Sequence, residues 1–78
     1  MTKVIFRIFH GEVLALFPYE EWNRYECTSY MHVGQHGGAS PELISELGTP
    51  TRGEYLSLKE ELESLGYELD VINNLWEL

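Results

Sequence analysis

The residues best suited to chemistry in this sequence lie together in residues 29–40, SYMHVGQHGGAS. His32 and His36 are four residues apart, and Gln35 stands beside the second histidine. Histidine binds metal ions and exchanges protons near neutral pH, so the pair could belong to a metal site or a catalytic site. The spacing HxxxH brings two rings together only on a helix, and three glycines in this segment disfavour a helix.

A small metal- or metabolite-binding protein centred on His10, His32 and His36 is one alternative interpretation of the histidines. A catalytic zinc site needs three convergent protein ligands, with a fourth position open to water. Outside a helix, the spacing of these histidines does not predict convergence. We therefore predict no metal ion and no cofactor.

Two further chemistries are disfavoured by spacing. Cys27 could be a nucleophile activated by His32, but side chains alternate along a strand and place these two residues on opposite faces. Cys27 is then a small buried apolar group. The glycines could hold a phosphate before a helix, but GxxGG matches neither a Walker loop nor a dinucleotide motif, and Pro41 removes an amide donor.

The simplest interpretation of these glycines is a structural turn between a strand and a helix. Polar side chains such as Gln35 and His36 would then satisfy backbone groups of the loop. The alternative is a recognition surface built on the turn. It would present Tyr30, His32, Gln35 and His36.

Four segments are typical of strands. Residues 3–9 and 12–17 are rich in β-branched and aromatic side chains, and His10-Gly11 predicts a tight turn between them. Residues 27–33 and 67–72 alternate apolar and polar positions. Since neither of the first two runs alternates cleanly, one face of the sheet is expected to be core and the other partly covered by a helix or another chain.

Residues 19–26, YEEWNRYE, follow Pro18 and form a polar excursion with aromatic residues at every third position. Tyr19, Trp22 and Tyr25 would lie on one side of a helical turn. We expect a loop whose rings are pinned to the core.

Helix signals follow the histidine segment. Ser40, Pro41 and Glu42 are typical of a helix start, which predicts a helix over residues 41–47. Thr51 and Glu54 have the spacing of a capping box, and leucines then recur at helical intervals up to Gly66. The predicted fold is a single α+β domain of order β-β-β-α-α-β, covering residues 1–78, with an antiparallel sheet of three to four strands and two helices on one face.

Composition narrows the function. The chain has 78 residues, one cysteine and a formal net charge of −8. The lone cysteine favours a reducing compartment, and with no signal peptide or membrane span we expect a soluble cytoplasmic protein. Residues 1–39 carry four acidic side chains against three basic ones, whereas residues 40–78 carry nine against two. This acidity disfavours direct nucleic-acid binding and favours a basic protein partner.

The acidic side chains of the second predicted helix are usually no more than a solvated face, but they could also contact a basic partner. The tail, NNLWEL, must find an apolar surface on its own sheet or on a partner. A structural homo-oligomer, such as a homodimer, is therefore another alternative. The candidate protein-binding residues in these two regions are Glu54, Glu60, Glu61, Glu63 and Trp76.

The segments VIFRIFHGEVLALFP, SYMHVGQHGGAS and EYLSLKEELESLGYELDVI resemble a family of small uncharacterised proteins of bacteria, phages and mobile elements. The most specific part of the pattern is SYxHxGQH, and the resemblance covers most of the chain. It implies an accessory gene product and brings no catalytic role. We therefore expect a protein that is not an enzyme, binds another protein, and interferes with a host defence or nucleic-acid-handling complex.

Overall fold

A five-stranded mixed sheet forms the body of the protein. The structure is a computed structural model that describes residues 1–32 and 35–75. The spatial order of the strands is β4-β3-β2-β1-β5. In chain order, the elements are β1 (Thr2–Phe9), β2 (Glu12–Glu21), β3 (Cys27–Met31), β4 (Gln35–Ala39), α1 (Leu43–Glu46), α2 (Arg52–Ser64) and β5 (Leu69–Val71).

The turn between β1 and β2 has the predicted residues. His10 and Gly11 both have positive φ, at 50° and 80°, as the mirror-image turns of two-residue hairpins require. Phe9 and Glu12 form the pair next to the turn. The first predicted hairpin is therefore confirmed.

Gly37 and Gly38 of the histidine segment lie in a strand, which corrects the prediction of a turn leading into a helix at these two glycines; Gly34 lies outside the described residues. All five residues of β4 pair with β3, from Cys27 opposite Ala39 to Met31 opposite Gln35. A glycine inside a strand often marks a close approach by another group. At Gly38, a Cβ atom would lie 2.3 Å from Cδ1 of Trp22, so a larger side chain would displace the Trp22 ring.

β2 continues beyond the proline that was predicted to end it. Phe17 pairs with Thr28, whereas Glu21 pairs with Cys27, so the residues between Phe17 and Glu21 form a bulge. A bulge accommodates Pro18 because the ladder is interrupted there and needs no amide donor.

The last strand changes the predicted topology. β5 pairs with β1 in parallel, with Thr2 opposite Leu69 and Val4 opposite Val71, and Lys3 forms an ion pair with Asp70 at 2.8 Å. The sheet therefore has four strands in antiparallel order and a fifth parallel to its neighbour. The α+β class is confirmed, but the antiparallel sheet of three to four strands is only roughly right.

The helices lie on opposite faces of the sheet, which corrects the prediction that both pack on one face. Leu58 and Leu62 of α2 pack with Val4 and Phe6 of β1. Ile44 of α1 belongs to a second cluster, which contains the intervening residue Ile5. Because successive residues of a strand point to opposite faces, two apolar faces on β1 and β2 require a cover on each side.

The start and the end of α2 follow the sequence signals. Thr51 Oγ1 accepts a hydrogen bond from the Glu54 amide, and a Glu54 carboxylate oxygen accepts one from the Thr51 amide, which completes the predicted capping box. The helix ends just before Gly66, which has φ of 106°.

α1 is shorter than predicted and is held by a buried arginine. The Ser40 hydroxyl accepts a hydrogen bond from the Glu42 amide at 3.3 Å, but the helix begins only at Leu43. Arg7 is 5% exposed, and its guanidinium donates to the carbonyl oxygens of Ile44 at 2.8 Å, Phe6 at 2.9 Å and Asn73. Arg7 thus joins α1 and the segment after β5 to the second face. Neither helix within the described residues has the length and apolar character needed to cross a membrane.

Candidate functional site

Glu61 of α2 joins the histidine segment to the acidic helix. Tyr30 donates its hydroxyl hydrogen to Oε2 of Glu61 at 2.5 Å, and Nδ1 of His32 lies 2.7 Å from Oε1. When Glu61 is ionised, its carboxylate only accepts hydrogen bonds, and Nδ1 of His32 then carries the hydrogen in this contact. Both oxygens of one carboxylate therefore hold the β3 end of the hairpin against α2.

His36 extends the same contact region from β4. Its Nε2 atom lies 3.0 Å from the hydroxyl oxygen of Tyr67, and its ring packs edge-on against Tyr30, with 4.7 Å between centroids. Tyr67 stacks on Phe17 at 5.2 Å. Burial raises the pKa of the Tyr67 hydroxyl, and the nearby charge of Glu20 raises it further. We call Tyr30, His32, His36, Glu61 and Tyr67 the hairpin–helix cluster.

The hairpin–helix cluster is partly open to solvent. Tyr30 is buried, whereas the side chains of His32 and Glu61 are 44% and 30% exposed. These half-exposed side chains are held in position by their contacts with each other and with Tyr30. Such an arrangement can present donors and acceptors to a partner without first being ordered.

The predicted family resemblance rests on segments that meet in this cluster. SYMHVGQHGGAS provides Tyr30, His32 and His36, and EYLSLKEELESLGYELDVI provides Glu61 and Tyr67. No family model, curated protein or solved structure matches the chain. The resemblance stays a prediction.

The other predicted residues of the acidic helix have separate positions. Glu54 completes the capping box, Glu60 is exposed, and Glu63 forms an ion pair with Lys59 at 3.0 Å. Glu61 is the acidic residue of the described part of α2 that connects the two predicted contact surfaces.

Two predicted contact residues lie partly or wholly outside the described part of the chain. The backbone of Gln35 belongs to β4, opposite Met31, but its side chain lies outside the described part of the chain. Trp76 also lies outside the described residues. The homo-oligomer based on the tail stays a prediction, and light scattering over a dilution series would test it.

The rings of the three histidines contact different residues, and these contacts do not bring the rings together. His10 lies in the β1–β2 turn, where its ring packs edge-on against Phe9 at 4.3 Å. His32 contacts Glu61, and His36 contacts Tyr30 and Tyr67. Over residues 1–32 and 35–75, His, Cys, Asp and Glu form no group of three that could hold a metal ion.

Cys27 is buried, as predicted. It is 4% exposed and packs in the apolar cluster on the α1 face, and burial raises the pKa of its thiol. A nucleophilic cysteine needs a lowered pKa and access to solvent. The surroundings of Cys27 therefore oppose the nucleophile hypothesis.

The aromatic excursion was predicted incorrectly. Tyr19, Trp22 and Tyr25 are 57%, 50% and 77% exposed, so their rings are not pinned in the core. Charged neighbours of these residues in YEEWNRYE were the signal for exposure, because a strand or loop that buries its rings rarely places Glu and Arg between them. This segment is a second exposed surface, separate from the acidic face of α2.

Proposed function

We propose that this protein is a non-enzymatic accessory protein that binds a basic protein partner. The contact surface in this proposal is the exposed side of α2 together with the β3–β4 hairpin. The observation that carries the proposal is the pair of contacts from Glu61 to Tyr30 and His32, which joins the two predicted surfaces into one.

The exposed side of α2 has the composition of a contact surface. Leu56, Glu60 and Glu63 are exposed, and their spacing of four and three residues puts them on one side of the helix. An apolar side chain flanked by carboxylates can contact an apolar group of a partner while Glu60 attracts Lys or Arg. Glu63 already pairs with Lys59 of the same helix and would exchange this ion pair for one with the partner. The second half of the chain also has an excess of acidic residues, so negative charge extends beyond these side chains.

The hairpin adds pre-organised polar groups to this surface. His32 is held through Glu61, and His36 is held between Tyr30 and Tyr67. Side chains that are already fixed lose little conformational entropy when a partner binds. The cluster therefore supports specific recognition, whereas the carboxylates of α2 support the rate and the strength of attraction.

The class of partner follows from charge. Proteins that handle nucleic acids carry clustered Lys and Arg side chains for the phosphate backbone. An acidic protein can occupy such a surface and exclude the nucleic acid. The small size of the chain, its acidity and its predicted resemblance to phage and mobile-element proteins support an inhibitor of a host complex of this kind.

Affinity capture with matched charge variants tests the proposal. The protein is immobilised and used to capture proteins from a lysate, in parallel with Glu60→Lys/Glu63→Lys and with Glu42→Lys/Glu46→Lys. Both double variants change the net charge equally, but Glu42 and Glu46 lie at α1, whose side chains pack on the opposite face of the sheet. We expect basic proteins that elute with salt, are lost with the α2 variant and are retained with the α1 variant. Equal losses with both variants would contradict the proposal.

A further inference from the structure

Three large aromatic side chains are exposed within seven residues, between Tyr19 and Tyr25. Single exposed apolar residues are normal on a protein surface, but a group of them marks an interaction site. Tyr and Trp are also the residues most often found as energetic anchors of protein interfaces. The density of exposed rings in this segment therefore indicates an interaction site.

The rings are carried by a segment that is already ordered. Trp22 rests on the β4 backbone at Gly38, where there is no room for a Cβ atom. The side-chain oxygen of Asn23 accepts hydrogen bonds from the amides of Tyr25 and Glu26, and its amide group donates to the Glu26 carboxylate at 2.7 Å. A partner would meet this segment in its binding conformation.

Residues of this segment, together with Pro18, Cys27 and Pro41, line a recess of about 240 Å³. Its lining includes two tyrosines and three carboxylates, namely Tyr19, Tyr25, Glu20, Glu21 and Glu26. Aromatic faces and carboxylates are the two kinds of group that attract an organic cation. The protein already places one cation here, since the guanidinium carbon of Arg24 lies 5.7 Å from the centre of the Tyr25 ring.

We infer that the recess formed by residues 19–26 is a second contact site, which binds an arginine or lysine side chain of an extended basic peptide. The inference rests on the proposed function for the basic character of the partner, but it uses different residues.

Titration with a defined peptide tests this site. A capped eight-residue peptide of alternating arginine and glycine is added to isotope-labelled protein, and amide shifts are followed by nuclear magnetic resonance. We expect saturable shifts in residues 19–26 and none with the corresponding glutamate peptide. Tyr25→Ala should weaken binding about fivefold, because a cation over an aromatic ring contributes on the order of 1 kcal/mol. Leu65→Ala, which removes an exposed apolar side chain at the C-terminal end of α2, should leave this affinity unchanged.

Arg24 provides a second test, with the opposite sign. Because its guanidinium occupies one face of Tyr25, Arg24→Ala should strengthen peptide binding about threefold or more. Arg52→Ala removes the same charge from an exposed position at the start of α2 and should have a smaller effect. Equal effects of the two variants would mean that only net charge matters, and would overturn the site.

The outcomes separate this inference from the proposed function. Saturable shifts confined to residues 52–64 would overturn the recess and support the α2 surface. Shifts in residues 19–26, combined with lysate capture that is insensitive to Glu60→Lys/Glu63→Lys, would support the recess and overturn the α2 surface. Shifts that do not saturate in either region would overturn the recess.

Discussion

The two faces of the sheet are buried by different means. On one face, the 13-residue helix α2 covers the strands with fully buried leucines, and Tyr55 stacks on Phe6 at 4.5 Å. On the other face, the four-residue helix α1 contributes one buried side chain, Ile44, and Arg7 donates hydrogen bonds to the surrounding carbonyl groups. A short helix can thus cover a sheet when a buried guanidinium satisfies the backbone groups that apolar side chains cannot.

The two faces also differ in their relation to the proposed recognition surface. The hairpin–helix cluster attaches to the α2 face through Tyr30, which belongs to the apolar cluster of that face. The α1 face contains a cavity of about 490 Å³, bordered by Arg7, Ile44 and Asn74. The region proposed for recognition therefore rests on the face that α2 covers with fully buried leucines.

The largest effect is expected from truncating the α2 face. Leu62→Ala should lower the free energy of unfolding by about 3 kcal/mol, because Leu62 is fully buried and its removal leaves a cavity. Ile44→Ala should cost about 1 kcal/mol less, because Ile44 is 9% exposed and already borders a cavity. Urea unfolding measures both values. An equal or larger loss for Ile44→Ala would break the distinction between the faces.

The α1 face should depend on the guanidinium more than on apolar area. Arg7→Met keeps an apolar stem but removes the donors to three carbonyl groups, and should cost about 2 kcal/mol. Arg52→Met is the matched control, since Arg52 is exposed, and should change stability by less than about 0.5 kcal/mol. If Arg7→Met proves as harmless as its control, apolar contacts alone hold this face.

Adding one methyl group at each of two adjacent glycines of β4 compares the stability cost of overpacking on the two faces. Gly38→Ala should cost about 1 kcal/mol, because Trp22 must move away, and should change the tryptophan fluorescence. At Gly37, which pairs with Ser29 on the α1 side, a Cβ atom would make an ordinary contact at 3.8 Å, so Gly37→Ala should be tolerated. Combining Gly38→Ala with Trp22→Ala should remove most of the penalty; a fully additive result would contradict the proposed clash.

The smallest effects are expected at high pH, one on each face. The folded protein raises the pKa of Cys27 on the α1 face above its ordinary value of 9.0 and that of Tyr67 on the α2 face above 10.0. Both groups are neutral when protonated and charged when deprotonated. Because burial disfavours the charged form, the folded state favours the protonated form. This contribution to stability is complete below the ordinary pKa and is lost as the pH rises through the folded pKa.

Unfolding measurements between pH 8 and 11 test this prediction by difference. Cys27→Ala should reduce the loss of stability that begins above pH 9, and Tyr67→Phe should reduce the loss that begins above pH 10. If both variants lose stability with the same pH profile as the unaltered protein, the prediction fails.

Local signals predicted the elements that depend on neighbouring residues. The His10-Gly11 turn, the capping box of Thr51 and Glu54, and the helix end at Gly66 were all predicted from short patterns. Each pattern acts through contacts within a few residues. That is why such patterns determine local conformation without knowledge of the fold.

Elements that depend on distant partners were not predictable in the same way. β4 consists of residues with low strand propensity, and its backbone is satisfied by pairing with β3. The docking of α1 on the second face includes hydrogen bonds from Arg7, whose partners Ile44 and Asn73 lie far along the chain. In the candidate site, the types of residue were predicted, but the meeting of His32 and Glu61 follows only from the packing of α2 on the hairpin.

The parallel pairing of β5 with β1 has a consequence for the order of folding. Lys3 and Asp70 are separated by 67 residues, whereas β1, β2, β3 and β4 pair with near neighbours through hairpins or a short connection. Closing a long loop is entropically unfavourable until other contacts have shortened it. The four-stranded antiparallel part is therefore expected to form first, with β5 docking as the final step.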